Sequence, residues 1–287
     1  MSAPTSFLSE LIALFGKPVA ENPTQYMHEQ AFAHLGLMWR YVTMEVPAEN
    51  LADAVRGLRA MNFAGANCTI PHKVEVIPHL DGLTAVARKI GAVNTIIRRE
   101  GGNLLGENTD GKGFITAVTE AGAILPGSRA IIFGSGGAAR AVSVELAVAG
   151  ASHITIVNRT VSKAESLAKH VTFETGVEVN ASAWIGDFSI PSDTQLVINC
   201  TSIALAPNNE DLVPIDYGTI KPSMLCCDVI PNPPQTPFVR NCAAAGATSL
   251  DGLSMLVHQG AIAFKMWTGH DAPIAVMRGA LEEVFAQ

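Results

Sequence analysis

The chain has 287 residues, enough for about two domains. With 48% hydrophobic and 16% charged residues it has the apolar content for a large core, which excludes wholesale disorder. Its net charge of −7 and scattered Lys and Arg exclude the basic face of a nucleic-acid binder, and no apolar run approaches the ~20 residues of a membrane span. The opening MSAPTSFLSELIALFGK lacks a basic leader and a long apolar stretch, so no signal peptide is expected. The five cysteines (Cys68, Cys200, Cys226, Cys227 and Cys242) form no CxxC pair, which predicts reduced thiols and a cytoplasmic location.

In chain order, apolar segments at 11–15, 41–46 and 93–97 predict strands, with helices at 26–37 and 48–61 between them. Pro47 cannot extend the strand before it. GANCTIPHK (65–73) and GENTDGKGF (106–114) read as glycine-flanked loops that hold Lys73 and Asp110 at strand ends. Next come a strand at 129–133, a small-residue helix from Gly136 to Gly150, a strand at 153–159 and a helix at 161–170. Strands are predicted at 196–202 and 224–230, then a break at the proline-rich 231–238, then a helix over 252–267. Short strands alternating with helices predict an α/β fold.

Gly134-Ser135-Gly136-Gly137-Ala138-Ala139 matches G-x-G-x-x-A between a predicted strand and a predicted helix. The first glycine permits a tight turn and the second lets backbone N–H groups approach a pyrophosphate. The small third residue lets helix and strand pack closely, and the helix N-terminus offers its positive end to phosphate. The next strand ends at Asn158-Arg159-Thr160, with no acid to hold a ribose 2′-hydroxyl. Arg159 suits a 2′-phosphate through charge-assisted contacts, so NADP fits better than NAD, although one arginine leaves both open.

Lys73 and Asp110 bring an amine and a carboxylate that together move a proton to or from a hydroxyl, half of an alcohol oxidation. GANCTIPHK at 65–73, GAVNT at 91–95, GENTDGKG at 106–113, the glycine turn, NRT at 158–160 and DGLSMLVHQGA at 251–261 occur in one order. In these six motifs the chain resembles the shikimate dehydrogenase family along nearly its whole length. The resemblance implies an N-terminal α/β substrate domain and a Rossmann-type domain with a cleft between them. It makes Lys73 and Asp110 the catalytic pair, gives Asn94 and Gln259 to ring hydroxyls, and lines the same pocket with Thr69. It places the cofactor on Gly134, Ser135, Gly136, Gly137 and Ala138, on Asn158, Arg159 and Thr160, and beside Thr201 in NCTSIAL. The implied activity is hydride transfer between NADP(H) and shikimate/3-dehydroshikimate or a close cyclic polyol acid, in aromatic amino acid biosynthesis. A quinate-type substrate, or a non-catalytic sensor of dinucleotide or metabolite, is the alternative.

The departures cluster at one end of the substrate. Where the family shows two serines for the substrate carboxylate, GKPVAENPTQYMH (16–28) has Asn22 and Thr24, with Glu21 beside them. Where the family often has a tyrosine, DVIPNPPQT (228–236) has Pro231, which carries no side-chain donor. Ile203, Ala204 and Leu205 replace a glycine-bearing stretch after Thr201. The expected organisation is a substrate domain of residues 1–108 plus 247–287 and a cofactor domain of 109–246, in a monomer or homodimer with no metal.

Overall fold

The computed structural model describes residues 7–286. Its strands are β1 (Glu10–Gly16), β2 (Trp39–Glu45), β3 (Gly65–Cys68), β4 (Gly82–Leu83), β5 (Thr95–Arg98), β6 (Leu104–Glu107) and β7 (Arg129–Phe133). They continue as β8 (His153–Asn158), β9 (Val179–Ala183), β10 (Phe188–Ser189), β11 (Leu196–Asn199), β12 (Ile215–Asp216), β13 (Leu225–Asp228) and β14 (Thr248–Leu250). The helices are α1 (Thr24–His34), α2 (Leu51–Ala60), α3 (His72–Glu75), α4 (Ala85–Ile90) and α5 (Asp110–Glu120). They are followed by α6 (Gly137–Val148), α7 (Val161–Thr175), α8 (Pro237–Ala244), α9 (Gly252–Thr268) and α10 (Ile274–Phe285).

One six-stranded sheet runs β2-β1-β3-β5-β6-β4. Strand β5 is antiparallel to both β3 and β6, and the other pairs are parallel. Both faces of this sheet are covered, as the alternation in β1 requires. Ile12 and Leu14 join Phe32, Val257, Phe264 and Met277 on the side of α1, α9 and α10, while Ala13 and Phe15 join Val55 and Leu58 on the side of α2.

The second six-stranded sheet is wholly parallel and runs β9-β8-β7-β11-β13-β14. This is the order of doubly wound dinucleotide folds, in which the chain switches direction between the two central strands. Here those strands are β7 and β11, and the glycine-rich turn leaves the C-terminal end of β7. The α/β fold with a Rossmann-type sheet follows the sequence expectation.

Three local readings are corrected. The first half of GANCTIPHK is not a loop but β3, a buried strand inside its sheet, and Lys73 lies on the short helix α3. Asp110 is not in a loop either: it is the first residue of α5. Strand β14 pairs with β13, so the chain leaves the second sheet after Leu250 rather than at 247.

The DGKG stretch, read from sequence as part of a glycine-flanked loop, is a packing device. A Cβ at Gly111 would lie 2.7 Å from the Ala141 carbonyl oxygen of α6, and one at Gly113 would lie 2.7 Å from the Gln259 backbone nitrogen of α9. Helix α5 is therefore pressed between α6 and α9, which fixes the direction of the carboxylate at its first residue.

Candidate active site

Strands β3 and β6 run antiparallel to β5, which lies between them. The C-terminal ends of β3 and β6 therefore lie at the same sheet edge as the start of β5. Register fixes this: Asn67 stands opposite Thr95, and Thr95 opposite Glu107. Lys73 follows β3, Asn94 precedes β5 and Asp110 follows β6, so the three converge.

Lys73 Nζ donates to Asp110 Oδ2 at 2.7 Å, with 17% and 7% of the two side chains exposed. Asn94 Nδ2 donates to the other carboxylate oxygen at 2.8 Å. The Asp110 backbone N–H is held by Asn108 Oδ1, and the position at a helix N-terminus favours its negative charge. Asn94 is saturated from within: its Nδ2 also reaches Thr109 Oγ1 and Gln259 Oε1, and its Oδ1 accepts from the Thr109 N–H and Thr95 Oγ1. Gln259 Nε2 donates to the Leu256 carbonyl. In this arrangement Asn94 aims Asp110, a role the sequence did not show.

Behind Asn94 lies a buried support that sequence reasoning missed. Asn67 Nδ2 donates to the Asn94 carbonyl and to Thr95 Oγ1, and Tyr41 Oη donates to Asn67 Oδ1 at 2.7 Å. Asn67 was visible inside GANCT, whereas a lone tyrosine in a strand carried no signal. Thr109, fully buried, also escaped notice although it sits inside the GENTDGKG motif.

The nucleotide turn abuts this cluster. Gly134 has φ +105°, and a Cβ there would lie 2.9 Å from the Cys200 carbonyl oxygen at the end of β11. Helix α6 begins at Gly137 with no side-chain cap and no acid in its first turn, leaving its N–H groups to a phosphate. Ser135 and Ala138 are half-buried, and Gly136 is exposed. A Cβ at Gly137 would lie 3.0 Å from Lys73 Cδ, so the lysine stem rests against the turn. At the end of β8, Arg159 and Thr160 are exposed, and Asn158 Nδ2 donates to the Thr160 carbonyl. This donor set suits a dinucleotide carrying a 2′-phosphate.

Thr201 sits beside the turn, its Cγ2 3.2 Å from where a Gly134 Cβ would lie, but its hydroxyl donates to Asn199 Oδ1 at 2.7 Å. Asn199 Nδ2 in turn donates to both oxygens of buried Asp228, which also accepts from Thr236 Oγ1 and the Ile230 N–H. Burial pushes the Asp228 carboxyl up to about 6 despite these donors.

Nearby Ala204 is fully buried with φ +74°, a left-handed conformation that strains any residue with a Cβ. Ala204→Val should cost about 2 kcal/mol or more, because a β-branched residue worsens that strain and overfills a closed site. A urea midpoint equal to that of the natural chain would refute this.

The other residues expected from the sequence to meet the substrate lie along the first domain. Gly16 and Thr69 are in contact, and the Lys17 N–H donates to the Ile70 carbonyl, so the 17–24 segment runs beside the one carrying Lys73. Asn22 Oδ1 accepts from the Thr24 N–H at 3.0 Å, and Thr24 is only 4% exposed. The structure thus gathers Lys73, Asp110, Asn94 and Gln259 tightly, while at the 22–24 turn the Asn22 Oδ1 is spent on the Thr24 backbone N–H, a bond that uses neither the Asn22 Nδ2 nor the Thr24 hydroxyl.

Family models match in three stretches. The shikimate dehydrogenase substrate binding domain matches residues 14–96, shikimate/quinate 5-dehydrogenase matches 117–202, and the shikimate 5′-dehydrogenase C-terminal domain matches 252–282. Shikimate dehydrogenase (NADP(+)) of Desulforamulus reducens is 42% identical over 284 residues, covering 97% of either chain. The chain belongs to the shikimate dehydrogenase family. Members of this family are NAD(P)-dependent oxidoreductases, so the Lys73–Asp110 pair sits in an enzyme fold. A family structure in complex with NADP+ superposes with TM-score 0.91 at 37% identity, covering 97% of this chain and 96% of that one. The ligand-free 5-ketofructose reductase of Gluconobacter sp. strain CHM43 superposes with TM-score 0.89 at 48% identity, covering 98% of this chain and 100% of that one. Among the described residues no helix is long and apolar enough to cross a membrane, and no cluster of His, Cys, Asp or Glu could hold a metal ion.

Proposed function

We propose that this chain transfers a hydride between NADP(H) and the hydroxyl or keto carbon of a polyhydroxylated substrate of the shikimate/3-dehydroshikimate kind. The observation that carries this is the Lys73–Asp110 pair against the glycine turn, with Lys73 Nζ 2.7 Å from Asp110 Oδ2. When bound, NADP(H) supplies or accepts the hydride. The chain's own residues handle the proton. In the reductive direction Lys73 Nζ gives a proton to the substrate oxygen, and in the oxidative direction it takes the proton back. Asp110 holds the ammonium in place and balances its charge. Asn94 holds the Asp110 carboxylate, and the second Nε2–H of Gln259 suits a neighbouring hydroxyl. A sensor of metabolites would have no use for this proton-transfer pair. Five buried free cysteines support a reducing, cytoplasmic location.

Two named substrates among the relatives set the assay. The Desulforamulus protein is named for shikimate and the Gluconobacter protein for 5-ketofructose; both carry hydroxyls beside the reacting carbon, and shikimate alone is an acid. Consumption of NADPH should be followed with 3-dehydroshikimate and with 5-ketofructose, and absence of turnover with both would sink the proposal. Arg159→Ala should weaken NADP binding about 10–100-fold, the worth of a lost charge-assisted contact, and leave NAD nearly unchanged. Equal weakening of both would show that Arg159 does not read the 2′-phosphate.

A further inference from the structure

The two groups of residues assigned to the substrate are built differently. At the reacting end, one cation and one anion cancel, and amides and hydroxyls surround them: Lys73 is paired with Asp110, and Asn94, Thr109 and Gln259 close the group. The other end lies where the 17–24 segment meets the loop after β13. Asn232 Nδ2 donates to the Glu21 carbonyl at 3.0 Å, a contact between residues 211 apart in sequence. That bond places Pro231, next to Asn232, alongside the turn of Asn22 and Thr24.

A carboxylate taken out of water requires a cation or several convergent donors. Among the described residues this end has no buried cation, and its side-chain donors reduce to the Asn22 amide and the Thr24 hydroxyl. Pro231 has no N–H and no side-chain donor, and the Asn232 amide is committed to Glu21. Asn22 keeps one donor group but spends its oxygen on the Thr24 N–H, and it lines a cavity of about 320 Å³ with Gln25, Tyr26 and Glu29 rather than with any catalytic residue. Thr24 gives its backbone N–H to that turn and keeps its hydroxyl, on a residue only 4% exposed. Glu21 and Lys17, the acid and the one lysine of this segment, are both exposed, and Lys73 is already paired, so no free buried cation of the described residues faces this end. Hydroxyl groups make no such demand, since each one donates and accepts against amides, hydroxyls and carbonyls.

We infer that the substrate of this site is a neutral polyhydroxy ketone and its alcohol, with no carboxylate, and that Asn22, Thr24 and Pro231 set that choice. The inference rests on the hydride-transfer reading and replaces the acid substrate of that reading with a neutral one. The overall step is balanced: ketone, NADPH and one proton give the alcohol and NADP+, the proton passing through Lys73.

The full-length protein should be assayed with NADPH against 5-ketofructose and 3-dehydroshikimate. kcat/KM for the neutral ketone should exceed that for the acid by at least about 100-fold, the scale on which a site rejects an ill-paired charged group. Equal values, or preference for the acid, would overturn the inference while leaving hydride transfer intact. No NADPH oxidation with either ketone would overturn the hydride-transfer reading and the inference with it. The residue assignment has its own arm. Asn22→Ser/Thr24→Ser/Pro231→Tyr should raise kcat/KM for the acid about 10-fold or more, mainly through KM, and lower it for the neutral ketone. Pro231→Tyr alone, whose folding is checked by circular dichroism, should move the same way; an unchanged ratio in the folded single variant would refute the role of Pro231.

Discussion

Lys73→Met is expected to lower kcat by about 10²–10⁴-fold, the usual contribution of a positioned acid–base group. Methionine keeps an unbranched apolar stem, so the contact with Gly137 survives and the glycine turn has no reason to move. The ammonium is lost, and with it both the proton donor and the partner of Asp110 Oδ2. Asp110 retains the Asn94 amide on its other oxygen, which holds the carboxylate in place. The expected signature is therefore a fall in kcat with NADP affinity within about 3-fold of the natural chain, the mark of an interaction made only in the transition state. Steady-state kinetics together with fluorescence titration of the cofactor give both quantities. Near-natural kcat would remove Lys73 from the mechanism, and a matching loss of NADP affinity would recast it as a binding residue.

Asp228→Ala is expected to cost about 3 kcal/mol or more, and to cost more at pH 5 than at pH 7.5. The carboxylate is 2% exposed and receives Asn199 Nδ2, Thr236 Oγ1 and the Ile230 N–H, all of which lose their acceptor in the variant. Each buried donor left unpaired costs about 1–3 kcal/mol. The pH effect follows from burial, which raises the carboxyl from 3.8 to about 6 and so favours its neutral form. A raised acid contributes stability that is complete below its unfolded pKa and is lost as pH rises through its folded pKa. The natural chain should thus lose about 1.4 kcal/mol relative to the variant between pH 5 and 7.5. Urea unfolding of both proteins at the two pH values measures this. A constant difference would show that Asp228 does not titrate there, and equal stability would show that the network is not holding Asn199.

The consequence of Asp228 for function is indirect. Asn199 Oδ1 holds Thr201, and Thr201 lies beside Gly134 of the glycine-rich turn. Loss of Asp228 loosens that chain of contacts from its buried end. None of this was legible in NCTSIAL or DVIPNPPQT taken separately, because the two residues that pair stand 29 apart and meet only when β11 and β13 lie side by side.

Local chemistry was the readable part. The glycine turn could be read because its function is carried by backbone geometry over six consecutive residues, between a strand and a helix that are themselves strongly patterned. Lys73 and Asp110 could be named because few residue types move protons and each stood in a distinctive short motif. The secondary structure around them was read less well. Gly65–Cys68 has no strong strand former, and its strand exists because β1 and β5 pair with it on either side. GENTDGKGF looked like a loop because glycine lowers helix propensity, yet Gly111 and Gly113 are there to let α6 and α9 approach α5.

The sequence by itself determined the chemical inventory: a glycine-rich turn between strand and helix, an arginine in place of an acid at the end of β8, a lysine and an aspartate in short distinctive motifs, and Asn22, Thr24 and Pro231 where the family shows serines and a tyrosine. Those are properties of residue identity at short spacing. Only the tertiary structure decided what each group is free to do. It committed Asn94 to Asp110, Asn22 to Thr24, Thr201 to Asn199 and Asn232 to Glu21. The physical reason is that a polar side chain's function depends on which of its hydrogen bonds are already spent, and most of these are spent on residues distant in sequence.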